Sequence, residues 1–548
     1  MAFDGIVLKK IVDELNTCII NSKVDKIFQP DNNTILLGLY VAPNNYALNI
    51  SIHPENYRIH LTTHSKPNPK SAPSFCMSLR KNLLGNKISN ISISGLERIV
   101  KIDFESHNDL NEFSIRTMFI ELMGKFSNII LVNSENIIIN LLRTSNSSIR
   151  NLKIGEKYTL PPNSKIDFLS LTDYTKFQEF VGSNKKNLTL FAGFSQIFIQ
   201  YIFEKLNIAD ETISSSNLIK IYDYIKSIIK SENTEIINYK DNYCVDISNS
   251  SLSFLKSNFF IDDFYYNKEN EELYKNSKNN LLRLVLKVLE KCTNKLNSIN
   301  SKINECKDIN KYKIYGELIT ANLYKLKEKV SYIKLENYYD NNNLIEIPLD
   351  ISISPNKNAE KYFKKYNKLK NTLNIVSKQK EETEVELEYL DSLVYSIKEA
   401  YTIDDINEII SEISDNELFK DFFKKSLKSS KNKIHTSLDP QKCIINGFTV
   451  LYGKNNKQND YITFKLAKPN DIWFHVQKMH GTHVLLKPDG KNISNDVILE
   501  CAKLCKQNSK AKYSLNVAVD YTLAKNVKRH PSKKTGMVLY TNYKTIIV

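Results

Sequence analysis

LRLVLKVLEKCTNKLNSINSKINEC, residues 282–306, is the stretch on which the architecture turns. Leu282, Val285, Leu289, Cys292, Leu296, Ile299, Ile303 and Cys306 step by three and four without a break, the a/d seam of a helix that packs lengthwise on another. A second seam runs through Tyr362, Tyr366, Leu369, Leu373, Val376, Lys380, Thr383, Leu387, Leu390, Val394 and Ile397. Its polar centre at Lys380 and Thr383 weakens it and helps fix register. Between the seams, residues 337–355 are rich in Tyr, Asp and Asn, which predicts an antiparallel coiled coil with a small insert at its tip. A first helix of about 60 residues gives an arm of ~90 Å at 1.5 Å rise per residue. An arm of that length suits a protein that spans sites on something large; an ordinary dimerisation coil is the alternative.

Outward from the arm, the flanks change character. Toward the N-terminus, β-rich runs recur at 35–41, 46–52, 57–61, 99–104 and 128–132, separated by Asn, Pro and Gly, and predict an antiparallel sheet. Helices are predicted over 5–16, with Val7, Leu8, Ile11, Val12 and Leu15 on one face, and over 74–84. Residues 166–265 read as a helical module of helix-hairpin-helix type. In it, Phe191-Ala192-Gly193-Phe194-Ser195 forms a tight glycine turn that is either a corner or a place where backbone N–H groups meet phosphate. Beyond the arm come a connector with a lysine-rich run at 424–433 and a second α+β region from about 435. That region has strands expected at 448–452, 461–466, 472–476, 483–486, 514–520, 537–541 and 545–548, and a helix at 494–508. The chain is thus predicted to be α+β and multidomain. It comprises an N-terminal α+β domain (1–165), a helical hairpin module (166–265), a long antiparallel coiled coil with a small tip domain (266–402), a connector (403–434) and a C-terminal α+β domain (435–548).

Composition narrows the function. The 548 residues carry a net charge of +15, and residues 441–548 hold 18 Lys and Arg against 6 Asp and Glu, so most of the excess is placed at one end. Such clustering points to phosphate-bearing partners or an anionic surface. Asp4, Lys9, Lys10, Asp13 and Glu14 interrupt any apolar leader, and no run of about 18 apolar residues occurs, so a cytoplasmic location without a membrane span is expected. The 8 cysteines form no CxxC pair, which argues against a disulfide framework or zinc ribbon. Cys501 and Cys505, four apart on a predicted helix, fit core packing better than metal or redox chemistry. No cofactor is called for.

The chemistry-bearing residues of the basic end are Lys454, Asn455, Asn456, Lys457, Gln458 and Asn459, read as an RNA-contacting surface. Lysines there neutralise phosphates, as Lys465, Lys468 and Lys478 also can, and amides offer paired donors and acceptors. Trp473, the one tryptophan, is either core or a base-stacking platform. His475, His480 and His483 have zinc-like spacing but no nearby cysteine, so RNA contact or packing is expected of them and no metal.

Several segments, in order along nearly the whole chain, resemble the NFACT family. They are residues 1–7 (Met1-Ala2-Phe3-Asp4-Gly5-Ile6-Val7), 25–30, 73–81, Gly95-Leu96-Glu97-Arg98, 121–125, 337–340, 361–366, the amide-rich segment, and Val519-Asp520-Tyr521-Thr522 with Lys525-Asn526-Val527-Lys528. The resemblance implies a ribosome quality control factor that is not itself an enzyme. Such a factor binds large (50S) ribosomal subunits carrying peptidyl-tRNA, recruits alanyl-tRNA, contacts rRNA, works with the small protein RqcP, and supports untemplated alanine tailing. It further implies tRNA roles for Asp4, Glu97, Arg98, Arg80 and Lys81, and RNA roles for Lys525 and Lys528. Family members usually have Asp-Arg where this chain has Glu97-Arg98. Asp4 is also well placed to cap the first helix. Two rivals remain. One is a DNA glycosylase-like enzyme, disfavoured by Ala2 where that chemistry needs a proline amine; the other is a surface adhesin, after the family's older label, fibronectin-binding protein A-like.

Overall fold

Val7, Leu8, Ile11, Val12 and Leu15 are all buried along helix α1 (Gly5–Cys18) in the computed structural model of the protein, which describes residues 2–107, 113–146, 150–208, 213–248, 255–326, 330–414, 416–426 and 439–548. The chain divides into two units, Met1–Glu269 and Asn270–Val548.

In the first unit, strands β1 (Lys23–Asp31), β2 (Thr34–Val41), β3 (Asn44–Ser51) and β4 (Arg58–Leu61) form one antiparallel meander. After helix α2 (Ser74–Leu83), β5 (Lys87–Ile93), β6 (Ile99–His107), β7 (Phe113–Glu121), β8 (Asn128–Val132) and β9 (Ile138–Leu141) form another. The sheet order is β4-β3-β2-β1-β5-β6-β7-β8-β9, and the meanders meet through one residue pair, Lys23 with Lys87. Strands β1, β5, β7 and β9 escape the sequence pattern; Asp25, Lys26, Gln29 and Pro30 mask the alternation of β1. The short pair β10 (Ser145–Asn146) and β11 (Asn151–Leu152) precedes the helices α3 (Tyr174–Val181), α4 (Gln196–Lys205) and α5 (Ser215–Lys230). This module is not purely helical, because hairpin β12 (Thr234–Tyr239) and β13 (Asn242–Ile247) follows and packs on α1 and α4. One apolar cluster runs from Phe3 through the sheet to Phe198, Ile225 and Tyr265, so the core is continuous across residue 165.

Helix α6 (Lys256–Glu305) begins in this unit. Buried Arg58 donates to Glu269 Oε1 at 2.6 Å and lies 4.3 Å over the Tyr265 ring, while Asp262 accepts from Thr62 and Thr63, and Glu14 from Asn258. The helix has 50 residues, or ~75 Å of rise, shorter than the expected arm. Asn304, Asp308 and Asn310 are weak helix formers around the break, after which α7 (Ile309–Ala321) resumes.

In the second unit, α7 leads to the tip hairpin β14 (Tyr332–Asn337) and β15 (Asn343–Pro348), and α8 (Pro355–Glu399) returns. Leu281, Val285, Val288 and Cys292 of α6 pack on Tyr389, Leu390, Leu393 and Ile397 of α8, early residues against late ones, as an antiparallel hairpin requires. Thr383 is buried in the seam with its hydroxyl bonded to the Gln379 carbonyl. The region expected as a connector starts with a buried helix, α9 (Ile403–Ser414), whose Ile406, Ile409 and Ile413 complete this cluster. Helix α10 (Lys420–Ser426) follows; most of the lysine-rich run and the expected domain start near residue 435 lie outside the described residues.

The C-terminal sheet comprises β16 (Gln441–Ile445), β17 (Phe448–Tyr452), β18 (Ile472–Val476), β19 (Val484–Lys487), β20 (Ala518–Leu523) and β23 (Lys544–Ile547). Between these strands lie α11 (Asn456–Tyr461), α12 (Asn495–Gln507) and the pair β21 (Val527–Arg529) and β22 (Val538–Tyr540). All its pairings are antiparallel, in the order β16-β17-β19-β18-β20-β23. Side-chain alternation splits the core in two: Val450, Phe474 and Leu486 face α12, whereas Leu451, Trp473 and Leu485 face Ile462 and Val527. Residues 461–466, expected as a strand, instead continue α11 as a π-helical turn, because Ile462 packs in the Trp473 cluster and the Thr463 hydroxyl bonds the Asn459 carbonyl.

Removing one partner of a buried ion pair strands the other. Glu269→Ala is therefore expected to destabilise the first unit by about 3 kcal/mol, read as the earliest transition in urea unfolding of the full chain. A change below about 1 kcal/mol would refute the anchoring role.

Candidate nucleic-acid interface

Two helix N-termini converge in the first unit. Asp4 caps α1, its Oδ1 accepting from the Ile6 and Val7 amides at 3.1 and 3.0 Å, and its Oδ2 accepts from Ser195 Oγ at 2.6 Å. Ser195 in turn caps α4 through the Phe198 amide. What allows this approach is glycine: the Gly5 amide donates to the Gly193 carbonyl at 3.0 Å, and a Cβ on Gly5 or Gly193 would lie 1.9 or 2.4 Å from the Leu96 carbonyl oxygen. The glycine turn makes a corner, with Gly193 at φ +78°, and it also lines the cleft beside Asp4. Packing Leu96 into it delivers Glu97 and Arg98 beside Asp4.

A cavity of about 440 Å³ results, lined by Asp4, Glu97, Arg98, Lys165, Ser195 and Gln196 among others. Burial pushes the Asp4 carboxyl up to about 6, against the hydrogen bonds from Ser195 and Val7 that pull it down. Arg98 donates to the Tyr57 hydroxyl and stands 5.4 Å over that ring, which fixes the guanidinium plane. Asn163 donates to Glu97 Oε1, and burial, with Arg98 adding to it, lowers the Lys165 ammonium. Of the five expected tRNA residues, Asp4, Glu97 and Arg98 meet here. Arg80 and Lys81 do not line the cavity: Arg80 bonds the Ile27 carbonyl at 2.9 Å from α2, and Lys81 is exposed. Tyr57, Asn163 and Lys165 were not legible as site residues, since they come from distant segments without a shared motif, whereas Ser195 belongs to the glycine turn already singled out.

In the second unit the amide-rich segment differs from the exposed surface expected of it. Asn455, Asn456, Gln458 and Asn459 are buried, at 3 to 7% exposure, and the first three are held by an acidic stripe on α9. Glu408 Oε2 accepts from Asn455 Nδ2 at 2.5 Å and Gln458 Nε2 at 2.9 Å, and Glu412 Oε1 accepts from Asn456 Nδ2 at 3.1 Å and the Tyr389 hydroxyl at 2.8 Å. Lys457 donates to Ser411 Oγ at 2.6 Å, and Lys454 lies 3.8 Å from Asp405. Asn459 bridges the Gly481 carbonyl and the His483 amide. Burial raises Glu408 and pushes Glu412 up to about 7, despite the bonds from Tyr389 and Asn456. The signal that could have exposed this was the spacing of Asp405, Glu408 and Glu412 along one face of α9.

Trp473 is wholly buried and so is core, not a stacking platform. His483 is buried with Nδ1 at 2.8 Å from Thr463 Oγ1, which removes it as a direct RNA contact. His475 is half-buried, stacked on Trp473 at 5.7 Å and edge-on to His483 at 5.3 Å; burial brings its imidazole down to about 4. Among the described residues no group of three His, Cys, Asp or Glu is arranged to hold a metal ion. Cys501 and Cys505 are buried in the α12 core, where burial pushes the Cys501 thiol up to about 12. Lys465, Lys468, Lys478, Lys525 and Lys528 are exposed. A second cavity, also about 440 Å³, is lined by Lys454, Asn455, Asn456, Asn459, His475 and His483 among others, but not by Lys457, Gln458, Trp473, Lys525 or Lys528.

One unit with a charged cleft, and another with a helical hairpin and a C-terminal domain whose turns expose lysines, are the features of a multidomain nucleic-acid-binding protein. The chain belongs to the NFACT family: residues 4–433 match the NFACT N-terminal and middle domains, and residues 443–542 match the NFACT protein RNA binding domain. It is 31% identical over 563 residues to the Rqc2 homolog RqcH of Bacillus subtilis (strain 168), covering 100% of this chain and 98% of that protein. It is 30% identical over 559 residues to the Rqc2 homolog RqcH of Streptococcus suis (strain 05ZYH33), with the same coverage. A crystal structure of the fibrinogen binding protein from Staphylococcus aureus aligns with 29% identity and a TM-score of 0.42 over 48% of this chain and 99% of that one. Among the described residues, no helix is long and apolar enough to cross a membrane.

The raised Glu412 carboxyl has a pH signature. Its folded pKa, about 7, lies above the ordinary value of 4.5, so the folded state holds a proton that the unfolded state releases between those values, and stability falls as pH rises through the window. Glu412→Gln is expected to remove a slope on the order of 2 kcal/mol between pH 5 and pH 8 from the unfolding of the second unit. Identical pH profiles for wild type and variant would contradict this account.

Proposed function

We propose that the protein is a ribosome quality control factor that binds large ribosomal subunits carrying peptidyl-tRNA and recruits alanyl-tRNA to them. It thereby supports untemplated C-terminal alanine addition that marks the stalled chain for degradation. Membership of the NFACT family supports the ribosomal role, and the observation that carries the tRNA assignment is the convergence of Asp4, Glu97 and Arg98 on one cavity. A guanidinium fixed by Tyr57 presents its remaining N–H groups in a plane, suited to phosphate or to a base edge. Glu97, half-buried beside it, accepts from an exocyclic base amine; its extra methylene relative to aspartate reaches the Asn163 amide in the free protein. Asp4 acts indirectly, holding the two helix starts that shape the cleft. Lys165 adds a second cation close to Arg98.

In this reading the protein performs no bond chemistry itself; the ribosome supplies peptidyl transfer. Exposed Lys525 and Lys528 hold rRNA or tRNA phosphates, and the small protein RqcP is a further expected partner.

Glu97→Ala combined with Arg98→Ala is expected to abolish alanine tailing while co-sedimentation with large subunits persists. Normal yields of alanine-tailed peptide from the double variant would overturn the assignment. Lys525→Ala with Lys528→Ala is expected to weaken RNA binding uniformly across sequences and flatten the log K against log salt slope by about 1.5, measured by filter binding. An unchanged slope would remove these lysines from the interface.

A further inference from the structure

The cavity of the second unit is built from two sides: α8 contributes Ser392, Tyr395 and Glu399, and the C-terminal domain contributes Tyr452, Asn459, His475, His480 and Tyr540. Two of its charged groups are paired. Lys512 holds Glu399 at 3.0 Å, and Lys454 faces Asp405. Buried amides 455, 456 and 459 are spent on protein partners, so they stiffen the wall. His475 differs. Among the described residues it has ring contacts with Trp473 and His483 but no hydrogen-bond partner, and it is uncharged at neutral pH. A neutral imidazole offers one donor and one acceptor. The wall thus combines the unspent His475 ring with tyrosine and histidine rings, and its exposed cation, Lys478, sits next to His480. Such a site suits a flat, uncharged, polar-edged ring; the volume accommodates one nucleoside and no duplex. Lys478 lines the cavity beside His480 and is itself exposed, and Lys510, whose amide bonds the His480 carbonyl, is exposed next to it.

We propose that this cavity receives one unpaired base of an RNA strand, its edge bonded by the His475 ring nitrogens, while Lys478 and Lys510 hold the flanking phosphates. The inference rests on the RNA-binding reading of the C-terminal domain and adds to it a place where a base, not the backbone, is engaged. Single-stranded or looped RNA is then preferred over duplex.

The test uses the full-length protein and a fluorescently labelled unpaired RNA hexamer, compared by anisotropy with the same hexamer made abasic throughout. Wild type is expected to bind the base-bearing strand about tenfold more tightly. His475→Ala is expected to erase that difference and leave the salt dependence unchanged, and His475→Gln, which keeps a donor and an acceptor, is expected to restore part of it. Equal, salt-dependent binding of both strands by wild type would overturn the base pocket while RNA binding stands. No binding of either strand would overturn the RNA-binding reading with it. Because the strand comparison needs no variant, a misfolded His475→Ala would not obscure the answer.

Discussion

Three backbone segments meet at Gly5, Leu96 and Gly193 with no room for a side chain between them, and the first unit is organised around that contact. It lets the start of α1 touch the turn before α4, so that one carboxylate, Asp4, serves both helix ends. It also seats the loop that carries Glu97 and Arg98. A capping residue is ordinarily a local device; here it acts between segments 191 residues apart. The cost is visible in Asp4 itself, whose carboxyl is pushed toward neutrality by burial even as four favourable interactions oppose the shift. The site's charge balance and the fold's closure are therefore the same fact seen from two directions.

The second unit solves a different problem. A segment dense in amides and lysines is costly to bury unless every donor is met. Helix α9 meets them with Glu408 and Glu412, which are themselves buried and raised in pKa. Among the described residues Glu412 Oε2 has no hydrogen-bond partner, and burial holds this carboxyl near neutrality, at about 7. The basic excess of the C-terminal region is thus divided: Lys454 and Lys457 are tied down, whereas Lys465, Lys468, Lys478, Lys525 and Lys528 face solvent. Net charge alone does not distinguish the two groups.

Periodicity made much of the architecture legible. The buried face of α1 and the helix α12 follow from apolar spacing, as do α6 and α8, whose seam is fully buried chiefly where Leu281–Cys292 meets Tyr389–Ile397 and half-buried along much of the rest. What failed was inference from polarity. Asn455, Asn456 and Gln458 read as surface because amides usually are, and their partners lie on a helix about fifty residues earlier that resembled a linker. Residues 461–466 read as a strand because Tyr, Ile, Thr and Phe favour one, yet the Thr463 hydroxyl and Ile462 packing hold them helical. At the cleft, the Glu97-Arg98 dipeptide could be found by resemblance. Tyr57, Asn163 and Lys165 could not, since only tertiary folding brings them there.

The pairing of Glu412 with Asn456 spans 44 residues of chain, with the acid made first. At usual synthesis rates the carboxylate emerges some seconds before its amide partner exists. During that interval α9 presents an unmatched acidic stripe beside an apolar one, a half-finished surface that the last part of the chain must close. Completion of the protein is thereby coupled to the arrival of its own C-terminal domain, so a chain that stops short of it is left with a helix that advertises the omission.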